Sequence, residues 1–249
     1  IDQLDAIVEL SDAIMVARGD LGVEMPAERV PAIQKRIVRS CRRFGKPVIV
    51  ATQMLESMID SPVPTRAEAS DVATAIYDGA DAVMLSAESA SGKHPVEAVK
   101  MMDRILQEVE SDPLYRQLID ASHASARAGG DVAEAVCCAM RRVVSLLHAS
   151  TIVCYTGSGQ TSLRAARERP ESPILSLTPN VATARRLALA WGVHSVHTQD
   201  VSNAEEMTEV ARQLARREGF ARPGEFVVTI AGMPFGTPGT TNLLRIATA

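Results

Sequence analysis

Three polar side chains stand shortly after three short apolar runs, at the points where buried strands would end. Asp20 follows the first run, Thr52 the second and Ser86 the third. A carboxylate suits Mg²⁺, a cation that often bridges to a substrate phosphate, and hydroxyl groups at equivalent strand ends can bind substrate or water. Glu88 and Lys93 follow Ser86 and are either further site residues or solvated surface charges. The pattern indicates one shared rim of a parallel sheet and does not name a reaction.

The segment around Asp20 has a composition suited to close contact with an anion. Gly19 lets the backbone approach a ligand closely, and Gly22 allows a tight turn. A short helix that begins at Asp20 would direct its free N–H groups at a carboxylate or phosphate. Alternatively, Asp20 is only the N-cap of that helix. Thr52 has a similar alternative as an ordinary strand-end residue that caps the following turn.

A second candidate site lies in two loops of the C-terminal half. Residues 156–161, TGSGQT, join a predicted strand to a predicted helix. Small residues and hydroxyl groups before a helix N-terminus can bind phosphate, although the same letters also describe a plain connecting loop. The loop 232–242, which is rich in Gly, Thr and Pro, could fold over the same ligand.

The first 110 residues predict three strand–helix units. Apolar runs at 13–16, 48–51 and 82–85 are typical of strands buried on both faces. Thr65 and Glu68 form a capping box that starts the second helix. The first helix opens near 26–31, and Pro95 opens the third, whose inward residues are predicted to be Val96, Val99, Met102, Ile105 and Val109. Three units form either a small open sheet or the last part of a (β/α)₈ barrel, and the start at Ile1 rather than Met favours the barrel.

The second half predicts an α/β domain of three layers. After Asp112-Pro113 and a helical connector to about residue 126, helices and strands alternate. Helices are predicted at 132–147, 161–168, 181–189 and 204–218. Strands are predicted at 151–155, 174–177, 193–197 and 226–230, with a possible edge strand at 243–247. The domains are therefore expected at 1–110 and 131–249, with a connector at 111–130.

Composition excludes several classes of protein. The 249 residues are 46% hydrophobic with a net charge of −4, so a core can form and no basic field favours nucleic-acid binding. No apolar run reaches the ~20 residues of a membrane span, and no membrane partner is expected. The four cysteines show no CxxC spacing, which favours a structural role in a reducing compartment.

Four motifs closely resemble signatures of the pyruvate kinase family. They are IMVARGDLGVE at 14–24, GKPVIVATQMLESM at 45–58, TRAEASDVA at 65–73 and SAESASGKHP at 86–95, the last with His94 where Tyr is common. The resemblance runs through the whole chain. It implies a (β/α)₈ barrel with an inserted β-domain and a C-terminal α/β domain, of which this chain would hold the last three barrel units and the whole C-terminal domain.

The resemblance also implies an activity, the transfer of a phosphoryl group from phosphoenolpyruvate to ADP in the cytoplasm, by a homotetramer. Asp20 would bind Mg²⁺ (or Mn²⁺), and the N–H groups of Gly19 and Asp20 would hold the substrate carboxylate. Thr52 would lie beside the substrate for protonation of the enolate, with Ser86 as a second candidate catalytic residue. The family's acid/base Lys, second metal carboxylate, K⁺ site and phosphate-binding Arg lie upstream of Ile1, so the piece alone is expected to be inactive.

Pyruvate kinases bind phosphorylated effectors between two loops like those described above. The residues implied here are Thr156, Ser158, Gly159, Thr161, Gly236, Thr237 and Gly239. Met233 stands where members activated by fructose bisphosphate often carry Trp, so a sugar monophosphate or AMP is as plausible an effector. The alternative from another class is a stand-alone module that senses phosphorylated metabolites and keeps a vestigial piece of barrel.

Overall fold

The computed structural model describes residues 1–122, 131–234, 237 and 240–249. The chain divides into two compact units, Ile1–His123 and Ala124–Ala249. None of the helices in the described ranges combines the length and apolar character needed to cross a membrane.

Unit 1 is built on a three-stranded parallel sheet in the order β1-β2-β3. Ala17, Ala51 and Met84, at the ends of the three strands, stand side by side in the pairing register. All three strands therefore end at one rim. The elements are α1 (Leu4–Leu10), β1 (Ile14–Ala17), α2 (Arg18–Glu24), α3 (Val30–Phe44), β2 (Val48–Ala51), α4 (Arg66–Tyr77), β3 (Ala82–Met84), α5 (Ala87–Ala90), α6 (Pro95–Ser111) and α7 (Pro113–Ser122), with short 3₁₀ turns at Ala27–Arg29 and Glu56–Ile59.

The core of unit 1 lies between the sheet and the helices α3, α4 and α6. Val48 and Val50 of the central strand are fully buried, together with Val38 of α3 and Val72 of α4. The predicted capping box at Thr65 is confirmed, since its side chain accepts from the Glu68 amide while the Glu68 carboxylate accepts from the Thr65 amide. Local hydrogen bonds thus fix where α4 begins.

The inward face predicted for α6 is only partly correct. Met102 and Val109 are buried, but Val96 and Val99 are 57% and 54% exposed. These two valines lie in the first turns of α6, on a face that the described residues of unit 1 do not cover. Helical spacing identifies residues that share a face, but not whether another element covers that face.

Unit 2 is a five-stranded sheet in the order β6-β5-β4-β7-β8 with helices on both faces. The four strands β4 to β7 are parallel, and β8 pairs antiparallel with β7 as the predicted edge strand. Its elements are α8 (Val132–Leu147), β4 (Thr151–Tyr155), α9 (Gln160–Arg167), β5 (Ile174–Thr178), α10 (Val181–Arg186), β6 (Val193–His197), α11 (Ala204–Arg217), β7 (Phe226–Ala231) and β8 (Leu243–Thr248), with a 3₁₀ turn at Leu187–Leu189.

Two separate cores make unit 2 a three-layer structure. Met140 of α8 and Ala165 of α9 pack with Ile152 on one face of the sheet. Met207 of α11 packs with Val153 on the other face. Alternate residues of β4 therefore serve opposite cores, and all five residues of the strand are buried.

The cysteines occupy structural positions. All four are free thiols, and Cys41, Cys137 and Cys154 are buried. Burial raises the pKa of the Cys41 and Cys137 thiols to about 12. They therefore remain protonated at neutral pH and are poor nucleophiles.

Candidate functional site

Asp20 lies at the rim of the unit 1 sheet, in the first turn of α2. This helix begins at Arg18 directly after β1, two residues earlier than the sequence indicates, and its N-cap is Ala17. The alternative of Asp20 as the N-cap is therefore wrong. Gly22 lies inside α2 rather than in the predicted tight turn. Asp20 is exposed, and no hydrogen bond or ion pair within the described ranges engages its carboxylate.

Thr52 lies beside this turn. Its Oγ1 accepts the Gly19 N–H at 2.8 Å and donates to the Ala51 carbonyl at 2.6 Å. A Cβ built on Gly19 would approach Thr52 Oγ1 at an ordinary 3.7 Å. The described residues thus leave space for a Cβ atom at position 19. Since the Gly19 amide is already donated to Thr52, the Asp20 amide, in the first helical turn without an intrahelical acceptor, is the more available donor to an anion.

The backbone that carries Thr52 is in an unusual conformation. Thr52 and Gln53 have φ values of +69° and +53°, in the left-handed region that non-glycine residues seldom adopt. Such residues cost on the order of 1–3 kcal/mol and persist only where surrounding contacts hold them. This pair lies directly after β2, at the rim.

Arg18 provides those contacts, and the sequence analysis did not single it out. Its Nη2 donates to the carbonyls of Thr52 at 2.6 Å and Gln53 at 3.3 Å, and its Nε donates to that of Ala51 at 3.3 Å. Its Nη1 forms an ion pair with Asp71 of α4 at 2.5 Å. The position of a charged residue directly after a buried strand could have indicated a role for Arg18. Its partners, however, lie 33 to 53 residues away in the sequence.

Ser86 lies at the end of the third strand, and its neighbour Glu88 connects two loops. Glu88 is buried and accepts the backbone N–H of Ser86 at 2.7 Å and that of Leu55 at 3.2 Å. Glu88 is therefore a structural carboxylate within the rim rather than a solvated charge. Lys93 pairs with Asp60 at 2.8 Å on the surface.

The donor set fits one ligand position of a divalent cation. No cluster of three or more His, Cys, Asp or Glu side chains occurs in the described part of the chain. Mg²⁺ typically binds one or two protein carboxylates and completes its shell with water and substrate phosphate. The exposed, unengaged carboxylate of Asp20 suits one of those positions.

The loop after β4 is closed by its own hydrogen bonds. Thr156 Oγ1 accepts the Gly159 N–H at 2.8 Å, and Gly159, with φ +92°, is the N-cap of α9. Thr183 of α10 donates to the Gly157 carbonyl at 2.9 Å. Ser158 is half-buried, and its Oγ accepts the Gln160 amide only at 3.5 Å. Of the three predicted hydroxyls at residues 156–161, that of Ser158 has the longest hydrogen bond.

The second loop meets the first through a pair of hydroxyl groups. Thr161 and Thr241 are both buried, with their Oγ1 atoms 2.8 Å apart. Thr237 is exposed, and its carbonyl accepts from the Thr240 hydroxyl at 2.9 Å. Gly236 and Gly239 lie outside the described residues. Thr241, which the sequence pattern did not indicate as a site residue, brings the end of the second loop beside α9 through this contact.

Two family models match the chain in sequence order. A model described as "Pyruvate kinase, barrel domain" matches residues 1–99, and one described as "Pyruvate kinase, alpha/beta domain" matches residues 134–247. These matches and the parallel sheets confirm the predicted fold class: three units of a (β/α)₈ barrel followed by a three-layer α/β/α domain.

Curated relatives and a solved structure agree. The chain is 56% identical over 245 residues to a pyruvate kinase of Methylorubrum extorquens, covering 98% of this chain and 51% of the relative. It is 44% identical over 247 residues to one of Clostridium acetobutylicum, covering 99% and 52%. A crystal structure of a pyruvate kinase from Cryptosporidium parvum superposes with a TM-score of 0.89 at 38% identity, covering 98% of this chain and 48% of that one. The chain spans about half the length of each, and it belongs to the pyruvate kinase family.

Proposed function

We propose that this chain forms the C-terminal half of an enzyme that transfers the phosphoryl group of phosphoenolpyruvate to ADP, giving pyruvate and ATP. The observation that carries the proposal is the rim geometry. Asp20 stands exposed in the first turn of α2, and the neighbouring Gly19 amide is 2.8 Å from Thr52 Oγ1. A carboxylate, helix-terminal amides and a hydroxyl are thus gathered at the ends of the neighbouring strands β1 and β2, the side of the sheet where barrel enzymes bind their substrates.

Each of these groups has a chemical task in the proposed reaction. Asp20 would hold Mg²⁺ or Mn²⁺, which when bound neutralises charge on the transferring phosphoryl group. The Asp20 amide in the first turn of α2 would bind the substrate carboxylate, because the helix N-terminus carries partial positive charge and the Gly19 amide is donated to Thr52. Thr52 would keep its hydroxyl beside the substrate carbon that is protonated, and Ser86 would complete the polar rim.

The remaining machinery is assigned to residues outside this chain. Phosphoryl transfer depends on several cations that surround the phosphoryl group, and Asp20 is a single metal ligand. We assign the acid/base Lys, the second metal carboxylate and the K⁺ site to the upstream part of the full-length protein. In that protein the reaction would take place in the cytoplasm, and four copies of the chain would assemble.

The test is a coupled assay on the full-length protein, in which lactate dehydrogenase reports pyruvate formed from phosphoenolpyruvate and ADP. Turnover that depends on Mg²⁺ supports the proposal. A full-length protein without turnover, together with binding of phosphorylated metabolites, would favour the alternative sensing module. Gel filtration with light scattering would measure the assembly, and a dimer or monomer would contradict the tetramer.

The two loops of unit 2 are proposed to bind a phosphorylated allosteric effector. The support is their contact through Thr161 and Thr241 and the weakly bonded hydroxyl of Ser158, which accepts the Gln160 amide only at 3.5 Å beside the N-terminus of α9. Since the hydroxyls of Thr156 and Thr161 already have protein partners, Ser158 offers the cleanest test. We expect Ser158→Ala to raise the activation constant about tenfold, which corresponds to about 1.4 kcal/mol.

The effector measurement compares activation of the full-length enzyme by glucose 6-phosphate, AMP and fructose 1,6-bisphosphate. Ser145→Ala, on α8 of the same unit, is the matched control. The effector is the compound whose activation constant rises in Ser158→Ala but stays at the wild-type value in Ser145→Ala. Equal activation of both variants by every compound would count against this site.

A further inference from the structure

We infer that Arg18 is a positioning residue that sets the orientation of Thr52. The Arg18 guanidinium forms backbone hydrogen bonds as well as a salt bridge. It donates to the carbonyls of Thr52, at 2.6 Å, and of Gln53, at 3.3 Å, while its other terminal nitrogen pairs with Asp71. The inference deepens the proposed function, on which it rests through the role of Thr52.

The contacts explain why a β-branched residue keeps an unfavourable backbone conformation. With φ at +69° for Thr52 and +53° for Gln53, the chain turns sharply after β2, and both carbonyls accept from the same nitrogen of Arg18. Without these donors, the segment would relax toward ordinary φ values. Thr52 Oγ1 would then leave the Gly19 amide, to which it is now joined at 2.8 Å.

Arg18 is itself held in place. Its side chain is only 11% exposed, and Asp71, which is fixed on α4, fixes the far end of the guanidinium. Arg18 lies in the first turn of α2 and is adjacent to Gly19. One side chain therefore links α2, α4 and the segment that follows β2.

The planar fork of the guanidinium is essential to this role. A lysine at position 18 would keep the charge and could pair with Asp71, but a single ammonium group cannot also reach the row of carbonyls in the same geometry. Arg18→Lys therefore separates positioning from charge. Asp71→Asn is the milder variant, because it keeps the bonds to the carbonyls and removes only the ion pair.

The test measures kcat and the KM for phosphoenolpyruvate in the full-length protein. We expect Arg18→Lys to lower kcat about 10- to 100-fold with less than about a threefold change in KM, and Asp71→Asn to lie between it and wild type. Lys35→Gln is the matched control, because Lys35 forms an ion pair with Asp78, which precedes the start of β3, whereas the rim lies at the ends of the strands. It should keep the wild-type kcat.

A second readout is independent of activity. Amide hydrogen exchange of Gly19 should speed up in Arg18→Lys and remain at the wild-type rate in Lys35→Gln, because only the first variant loosens the Thr52 hydroxyl that accepts this amide. Wild-type kcat together with wild-type exchange in Arg18→Lys would overturn the inference. An equal loss of kcat in Lys35→Gln would also overturn it, since the effect would then be general destabilisation. If the wild-type protein had no turnover, the proposed function would fail, while the exchange measurement would still decide the position of Thr52.

Discussion

The Asp20 carboxylate combines two properties that most acidic side chains of the chain do not share. It lies at the rim of a parallel sheet, and no described side chain or amide engages it. By contrast, Glu88 and Glu68, near the same rim, are each bound by backbone amides. Carboxylates that serve the fold are thus satisfied within the protein, whereas Asp20 remains available to a ligand.

At the residue scale we predict that Asp20→Asn severely impairs the full-length enzyme. The amide keeps the size of the side chain but loses the charge that binds a hard cation, so kcat/KM should fall about 100-fold or more, equivalent to about 2.7 kcal/mol of transition-state stabilisation. Steady-state rates at increasing Mg²⁺ and calorimetric Mn²⁺ binding would measure the loss. Asp12→Asn, an exposed carboxylate before β1, is the control, and unchanged metal dependence in Asp20→Asn would refute the assignment.

At the scale of elements, the start of α4 supports the rim from behind. Glu68 accepts from the backbone and side chain of Ser57 and from the backbone and side chain of Thr65. One carboxylate thus caps α4 and ties it to the 3₁₀ turn that follows the Thr52 segment. The same helix carries Asp71, the partner of Arg18.

We predict that Glu68→Ala lowers the free energy of unfolding by about 1–2 kcal/mol, in the range of lost helix caps. Although partial burial opposes it, hydrogen bonding by Ser57 and Thr65 holds the pKa of Glu68 below its ordinary value. A lowered carboxyl pKa stabilises the folded state above the unfolded pKa of about 4.3, and this stabilisation is lost as the pH falls through the folded pKa. The difference from wild type should therefore be largest near neutral pH and shrink below about pH 4.

Calorimetric melting of the chain between pH 3 and pH 7 would measure this effect. Glu97→Ala is a matched control, because Glu97 holds the corresponding first-turn position of α6 and is exposed. It shares the interaction with the helix dipole but not the four hydrogen bonds. A Glu68→Ala effect no larger than that of Glu97→Ala would contradict the capping role.

The start of α9 gives a second element-scale prediction. Gly159 has φ +92°, and a Cβ there would lie 3.3 Å from Thr183 Cγ2 and 3.4 Å from Leu187 Cδ2. Gly224 has nearly the same φ, +93°, but faces open space. Both alanine substitutions should lower the free energy of unfolding by about 1–2 kcal/mol because of the backbone conformation. Gly159→Ala should lower it further, because the new Cβ is also crowded. Thermal melts that rank the two variants equally would contradict the contact between α10 and the loop.

At the scale of the whole molecule, the chain has two units, and each has a core of its own. Unit 1 has a buried central strand, and unit 2 has a core on each face of its sheet. Each unit therefore has its own source of stability. In the proposed reaction, the rim of unit 1 would supply Asp20 as one metal ligand, whereas phosphoryl transfer depends on several cations around the phosphoryl group.

We predict that the isolated chain folds but does not turn over phosphoenolpyruvate. Its circular dichroism should show the helical content of the eleven helices described above, while the coupled assay should stay at background at saturating Mg²⁺ and ADP. The reason is that charge neutralisation at the phosphoryl group is incomplete without the upstream residues. Turnover by the isolated chain comparable to that of the full-length enzyme would overturn this expectation.

The sequence alone determined the order and the bounds of most elements. The strands 48–51, 151–155 and 193–197 coincide with those of the structure, and α8 matches at both ends. Uninterrupted apolar runs between turn residues mark such strands clearly, and capping residues mark helix ends, because both signals are local. The seven-residue helix α1 was missed, since so short a helix has little periodicity of its own.

The tertiary structure decided which polar residues work together. The motif 14–24 contains Arg18 and Asp20 two positions apart, yet only the fold shows Arg18 held among Thr52, Gln53 and Asp71, and Asp20 left exposed. The burial of Glu88 and the positive φ of Thr52 likewise depend on contacts between residues about 33 positions apart in the sequence. Local chemistry fixes where a strand or helix forms, whereas the state of each charged group depends on neighbours that only the packing of these elements brings near.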